Sequence, residues 1–129
     1  TYPRGMVGTD TIFGGQIHPR VSGTFPRIIN QFVKHKQLLP LEQAIHKMTA
    51  LSAETFGLRK RGKIASGYYA DISLFGADFS DHSTIEHPDA FARGLRELWV
   101  NGCRKVAGGE YLETRSGQLL HHWTDNRHL

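Results

Sequence analysis

The chain has 129 residues, 39% apolar and 22% charged, which are ordinary proportions for one globular domain and fall well short of the roughly 250 residues of a complete eight-stranded α/β barrel. Its net charge of +4 permits an acidic partner, but the cations form no long stripe, and the acids between positions 71 and 89 oppose a nucleic-acid surface. No apolar run nears the ~20 residues that span a bilayer, no leader pattern opens the sequence, and Cys103 as the single cysteine excludes an internal disulfide, so the expectation is a cytoplasmic chain without membrane or nucleic-acid partners. Thr1 in place of Met reads as a truncated or processed start.

In chain order, residues 1–10 predict a strand, the apolar run Gly5-Met6-Val7-Gly8-Thr9 ending on Asp10. Residues 11–24 predict a loop with Gly14, Gly15, Pro19 and Gly23. Thr24 fits an N-cap with Pro26 in the first turn, and Ile28, Ile29, Phe32 and Val33 have helical spacing as far as about Gln37. A second helix is expected from Pro40, its stripe being Leu41, Ala44, Ile45, Met48 and Leu51. A short third helix fits Ser52–Thr55 with Gly57 as its C′ residue. The cluster Arg59-Lys60-Arg61-Lys63 then reads as cations facing a helix C-terminus.

From Gly62 the pattern becomes strand-like. Lys63-Ile64 predicts a short strand, Gly67-Tyr68-Tyr69 a turn, and Ala70–Phe75 a strand. Residues 76–94, polar and carrying Pro88, predict an excursion. Asn101-Gly102 between Leu98-Trp99-Val100 and Lys105-Val106 predicts a tight hairpin, and Gly108-Gly109 another turn. Beyond Arg115 periodicity is lost, and the His121–Asn126 region reads as a frayed tail.

Three residues stand out for chemistry. Asp10 at a strand end fits a metal ligand or proton shuttle, although its local sequence alone favours an N-cap or Asx-turn acid. Arg20 offers a planar fork for a substrate carboxylate, or pairs with a structural acid, and Pro19 stiffens the loop that carries it. His18 fits a ligand, a hydrogen-bonding group or a plain loop residue. The eight histidines include no His-x-His and no His-x-x-x-His, so most ligands of any metal site lie outside the chain. A dinucleotide fingerprint, a phosphate loop and a nucleophile elbow are all missing; Tyr68 and Tyr69 read as packing residues and Cys103 as an ordinary small one.

Gly8-Thr9-Asp10, His18-Pro19-Arg20 and Gly23-Thr24-Phe25-Pro26-Arg27 resemble the final barrel strand and following loop of the N-acyl-D-amino-acid deacylases, in the amidohydrolase superfamily. The helix Leu39–Thr49, the segment Arg61–Ile72 and the hairpin Glu97–Gly102 are similar to later parts of that family, so the likeness runs from Gly5 to about Leu120. It implies an α/β fragment: residues 1–61 as the last strand and helices of a metal-dependent (β/α) barrel, 62–120 as the carboxyl-terminal part of a small β-sandwich, and 121–129 as a tail. It also implies a hydrolase of linear amide bonds that splits N-acyl-D-amino acids into D-amino acid and carboxylate. Zinc would be held mostly by residues outside this chain. Asp10 would serve at the metal and carry the proton, and Arg20, with His18 beside it, would bind substrate. Thr11 departs from the glycine that commonly follows the family's acid. Such a fragment is expected to be inactive alone and to need the rest of the barrel or a second copy. The alternative is a non-catalytic assembly module derived from an amidohydrolase.

Overall fold

The computed structural model describes residues 2–10 and 17–120, so Thr11 and the tail from His121 lie outside the described residues. Helix α1 (Arg20–Arg27) runs directly into a π-helical stretch (Ile28–His35), and α2 (Leu41–Met48) and α3 (Ala50–Thr55) follow. Strands β1 (Ile72–Ser80), β2 (Arg93–Val100), β3 (Cys103–Ala107) and β4 (Glu110–Tyr111) form one antiparallel sheet in sequential order.

The strand expected over residues 1–10 does not form in the described part, residues 2–10. A parallel barrel strand takes its ladder from neighbouring strands, and no strand lies beside it among the described residues. Its backbone leans on α2 instead, with the Val7 N–H donating to Lys47 O at 3.4 Å.

Helix α1 begins at Arg20, four residues before the expected N-cap Thr24, whose hydroxyl donates back to Arg20 O at 2.6 Å. Pro26 therefore sits inside the helix. It lacks an N–H and crowds the preceding turn, and the backbone beyond it widens to i→i+5 bonding, as in Lys36 N–H to Gln31 O at 2.9 Å. Gln37, at φ 49°, ends the stretch, and the Leu38 N–H returns to Phe32 O.

The sequence stripe of α2 is recovered: Ala44 is buried and Ile45, Met48 and Leu51 are half-buried, though Leu41 is exposed. Helix α3 starts two residues earlier than expected. It ends in the Schellman geometry that Gly57 predicts: Leu58 N–H donates to Ala53 O at 2.8 Å and Gly57 N–H to Glu54 O at 3.2 Å.

The basic cluster does not simply face a helix end. Arg61 reaches the sheet, pairing with Asp71, donating to Asn101 Oδ1 at 2.6 Å and lying 4.2 Å from the Tyr69 ring centre. Lys63 pairs with Glu54 at 2.6 Å, and Lys63-Ile64 forms no strand. Glu54 is held below the usual carboxylate range by its hydrogen bond and proximity to Lys63.

Strand β1 is longer than expected and continues to Ser80, past irregular pairing after Leu74, so the excursion is residues 81–92. The Asn101-Gly102 hairpin forms with both residues at positive φ (51° and 78°), closing on the Val100–Cys103 pair. Gly108 and Gly109, at φ 59° and 92°, turn β3 into β4. Across β2 and β3, Arg104 clasps Glu97 with two bonds of 2.7 and 2.6 Å.

The apolar centre lies where the helices meet the sheet. Ile29, Ala44 and Phe79 are buried, and Phe75 stacks on Phe79 with ring centres 4.6 Å apart. No large side chain is fully buried among the described residues, while Phe25, Leu38, Leu41 and Phe56 are exposed. These helices offer more apolar surface than their own sheet covers. No described helix is long and apolar enough to cross a membrane.

Candidate functional site

The segment leading to Asp10 is held from below by a lysine. Lys47 of α2 is 7% exposed, and its ammonium donates to Tyr2 O at 2.7 Å, Gly5 O at 2.8 Å and Pro3 O at 3.0 Å. An ammonium has three protons, and three carbonyls take them. The chain then runs out to Asp10, whose φ of 50° lies in the left-handed region that Asp tolerates better than most residues.

Arg20 comes to the same corner from the first turn of α1, its Nη2 standing 3.4 Å from Asp10 Oδ2. The Asp10 side chain is 85% exposed. An ion pair so wet contributes little to stability, about 0–1 kcal/mol. It therefore records where the two chain segments have been placed rather than what holds them. Arg20 Nε is buried and has no hydrogen-bond partner among the described residues.

His18, the third candidate, is exposed, and its Nδ1 accepts the Arg20 backbone N–H at 3.1 Å. That bond satisfies one of the orphan amides at the start of α1, a role as helix opener that leaves Nε2 to solvent. All three candidates thus share one corner, with Asp10 and Arg20 in direct contact. No group of three or more His, Cys, Asp or Glu able to hold a metal occurs among the described residues.

A second constellation, not singled out in the sequence, supports this corner. In the 81–92 excursion the Ser83 side chain points its hydroxyl at Pro19 O (2.9 Å) and Asp81 Oδ1 (2.6 Å), with one proton between two acceptors. Ser83 N–H also donates to Asp81 Oδ1 at 2.9 Å, and Arg27 Nε to Asp81 Oδ2 at 2.8 Å. Burial pushes the Asp81 carboxyl up, but the hydrogen bonds from Ser83 and then Arg27 outweigh it and hold the group below its usual range. Gly23 makes the contact possible, because a Cβ there would collide with Asp81 Oδ1 and Ser83 Oγ. The Asp-x-Ser spacing of an Asx turn was the available signal; its partner 64 residues away was not.

A shallow hollow of about 450 Å³ lies between Ile17, His18 and Pro19 on one side and Ile85, Glu86 and Pro88 on the other. The excursion therefore borders the corner as well as bracing it.

The profile of the Amidohydrolase family matches residues 6–104. Among curated proteins, the N-acyl-D-aspartate deacylase of Alcaligenes xylosoxydans xylosoxydans is 42% identical over 93% of this chain and 24% of its own length. The D-aminoacylase of the same organism is 42% identical over 89% of this chain and 24% of its own length. A D-aminoacylase crystal structure superposes with a TM-score of 0.79 at 39% identity, covering 84% of this chain and 23% of that one. The N-acyl-D-glutamate deacylase of Bordetella bronchiseptica, solved with zinc and a phosphonate mimic of the tetrahedral intermediate, superposes with a TM-score of 0.73 at 37% identity, over 77% of this chain and 21% of that one. The chain spans about a quarter of the length of the curated relatives it matches, and over that part it belongs to the amidohydrolase family.

Proposed function

We propose that this chain is the carboxyl-terminal part of a zinc-dependent amidohydrolase that hydrolyses N-acyl-D-amino acids to a D-amino acid and a carboxylate. In this reading residues 1–61 complete a (β/α) barrel and residues 62–120 complete a β-sandwich, each with upstream chain. The observation that carries the reading is the meeting of an exposed carboxylate, Asp10, with a cation, Arg20, ten residues on. The deacylase likenesses over the same segment support it.

Asp10 fits zinc as a single oxygen donor: its carboxylate is open to solvent, at 85% side-chain exposure. One donor cannot hold a four-coordinate ion, so the remaining ligands come from residues outside those described. When bound, zinc would acidify a water toward a pKa of ~7 and polarise the scissile carbonyl. Asp10 takes the proton of the attacking water and returns it to the leaving amine. Arg20 turns its fork from Asp10 to the substrate's α-carboxylate, which fixes the amide relative to Asp10. The loose 3.4 Å pair leaves the outer nitrogens of the fork available for that exchange. His18 keeps α1 started where Arg20 needs it and borders the hollow that a substrate would approach.

The test is hydrolysis of N-acetyl-D-aspartate by the full-length polypeptide with and without Asp10→Asn, and by the 129-residue chain. Loss of about 10²–10⁴-fold in kcat fits a proton carrier, and the isolated chain should be inactive. Undiminished turnover by the variant defeats the mechanism. The exposed apolar residues on the helices favour one alternative, a non-catalytic assembly module; a chain that runs as a stable monomer on size exclusion counts against it.

A further inference from the structure

We propose that Ser83 is a positioning residue for Arg20: the excursion between β1 and β2 fixes the start of α1, and so sets where the carboxylate-gripping guanidinium stands. The inference rests on the reading of Arg20 just given, and its geometric basis is independent of it. Pro19 O is met from two sides, by a backbone amide and by the hydroxyl whose proton it shares with Asp81 Oδ1. It accepts the Gly23 N–H at 2.9 Å, the first hydrogen bond of α1, and it faces the Ser83 hydroxyl at 2.9 Å. Pro19 and Ser83 are both buried, so water does not substitute readily for this contact.

The same short turn grips the other end of the helix. Asp81, whose side chain is 10% exposed, takes the Ser83 amide on one oxygen and Arg27, the last residue of α1, on the other. Gly23 lies between, and no side chain separates helix from turn. The helix is thus pinned at its first carbonyl and its last side chain by two residues of one loop. Sliding or rolling of α1 would break one pin or the other. Arg20 projects from the pinned first turn, where displacement of even ~1 Å would degrade substrate orientation.

The experiment is a double-mutant cycle in the full-length polypeptide with N-acetyl-D-aspartate as substrate, joined to amide hydrogen exchange on the 129-residue chain. Ser83→Ala should raise KM about tenfold, with kcat within about threefold, and should change KM less than twofold when Arg20→Ala is already present. In the chain, Ser83→Ala should speed exchange at Gly23 at least tenfold and leave the β2–β3 amides unchanged. Gly23→Ala, which forces helix and turn apart from the other side, should shift KM in the same direction. An equal effect of Ser83→Ala with and without Arg20 overturns the inference, since a general loss of structure acts regardless of Arg20. Unchanged exchange at Gly23 overturns it whatever the activity. If the unsubstituted full-length polypeptide hydrolyses no N-acyl-D-amino acid, the functional reading falls and the clamp role falls with it, whereas accelerated exchange would still leave the pinning of α1 standing.

Discussion

Replacing Lys47 with Met tests how the segment carrying Asp10 is held. Met keeps the length of the side chain and removes the ammonium. Three charge-assisted bonds, of 2.7, 2.8 and 3.0 Å to carbonyls of Tyr2, Gly5 and Pro3, are lost. At about 1.5–3 kcal/mol each they would sum to roughly 5–9 kcal/mol if independent. Two effects reduce that figure. The desolvation of a buried ammonium, several kcal/mol, disappears with it. The freed carbonyls belong to exposed or half-buried residues, so water replaces the lost donor once the segment lifts. The net loss should be about 1–3 kcal/mol, and it should be local, because residues 2–9 detach without opening the sheet. Hydrogen exchange at Val7, whose N–H bonds to Lys47 O, should accelerate about 5–150-fold, at 1.4 kcal/mol per tenfold. The urea midpoint followed through Trp99 in β2 should hardly move. Lys47→Arg should rescue only in part, since a planar fork does not aim three protons at three clustered carbonyls. Unchanged exchange at Val7 in Lys47→Met would refute the clamp, and a large fall in the Trp99 midpoint would refute its local character.

Asp81→Asn should destabilise the chain at pH 7; because the folded-state pKa of Asp81 lies below its usual 3.8, the ionised group contributes stability above about pH 4 that fades as pH falls through the folded value. Urea midpoints of the two proteins should therefore converge as the pH falls below about 4. Gly62→Ala should cost more than Gly102→Ala: both sit at φ 78°, but a Cβ at Gly62 would lie 2.8 Å from Ala53 Cβ and 2.9 Å from Thr49 O, whereas at Gly102 it meets nothing within 4 Å. Thermal melts should give about 1–2 kcal/mol for Gly102→Ala, the left-handed strain alone, and a larger loss for Gly62→Ala. Arg61→Met removes the bonds to Asp71 and Asn101 and the contact with Tyr69; a loss of about 2–3 kcal/mol is expected, read as a lower urea midpoint that added salt reproduces only in part.

What the sequence disclosed and what it hid divide by the distance between partners along the chain. Asn101-Gly102, Gly108-Gly109 and Gly57 were readable because each turn closes on atoms within a few residues, so residue type alone limits the conformation. Pro26 misled because a proline near the start of an apolar run usually occupies the first turn. Here the helix begins at Arg20, with His18 accepting the Arg20 amide, and a π-helical register follows the proline. Lys47 left a faint trace: it falls three residues after Ala44 and four before Leu51, on the buried stripe, where a lysine needs a reason. The reason lies 42 to 45 residues upstream, in backbone carbonyls that carry no sequence signature. Ser83 is the same case over 64 residues. The candidate corner follows this division. Asp10, His18 and Arg20 could be picked out because their chemistry is written in their side chains. The groups that set their positions, Lys47 and Ser83, act on main-chain oxygens. A carbonyl is present at every residue, so only the folded chain decides which one is gripped. Variants of Lys47 and Ser83 should therefore disturb the corner without altering any group that enters the proposed chemistry.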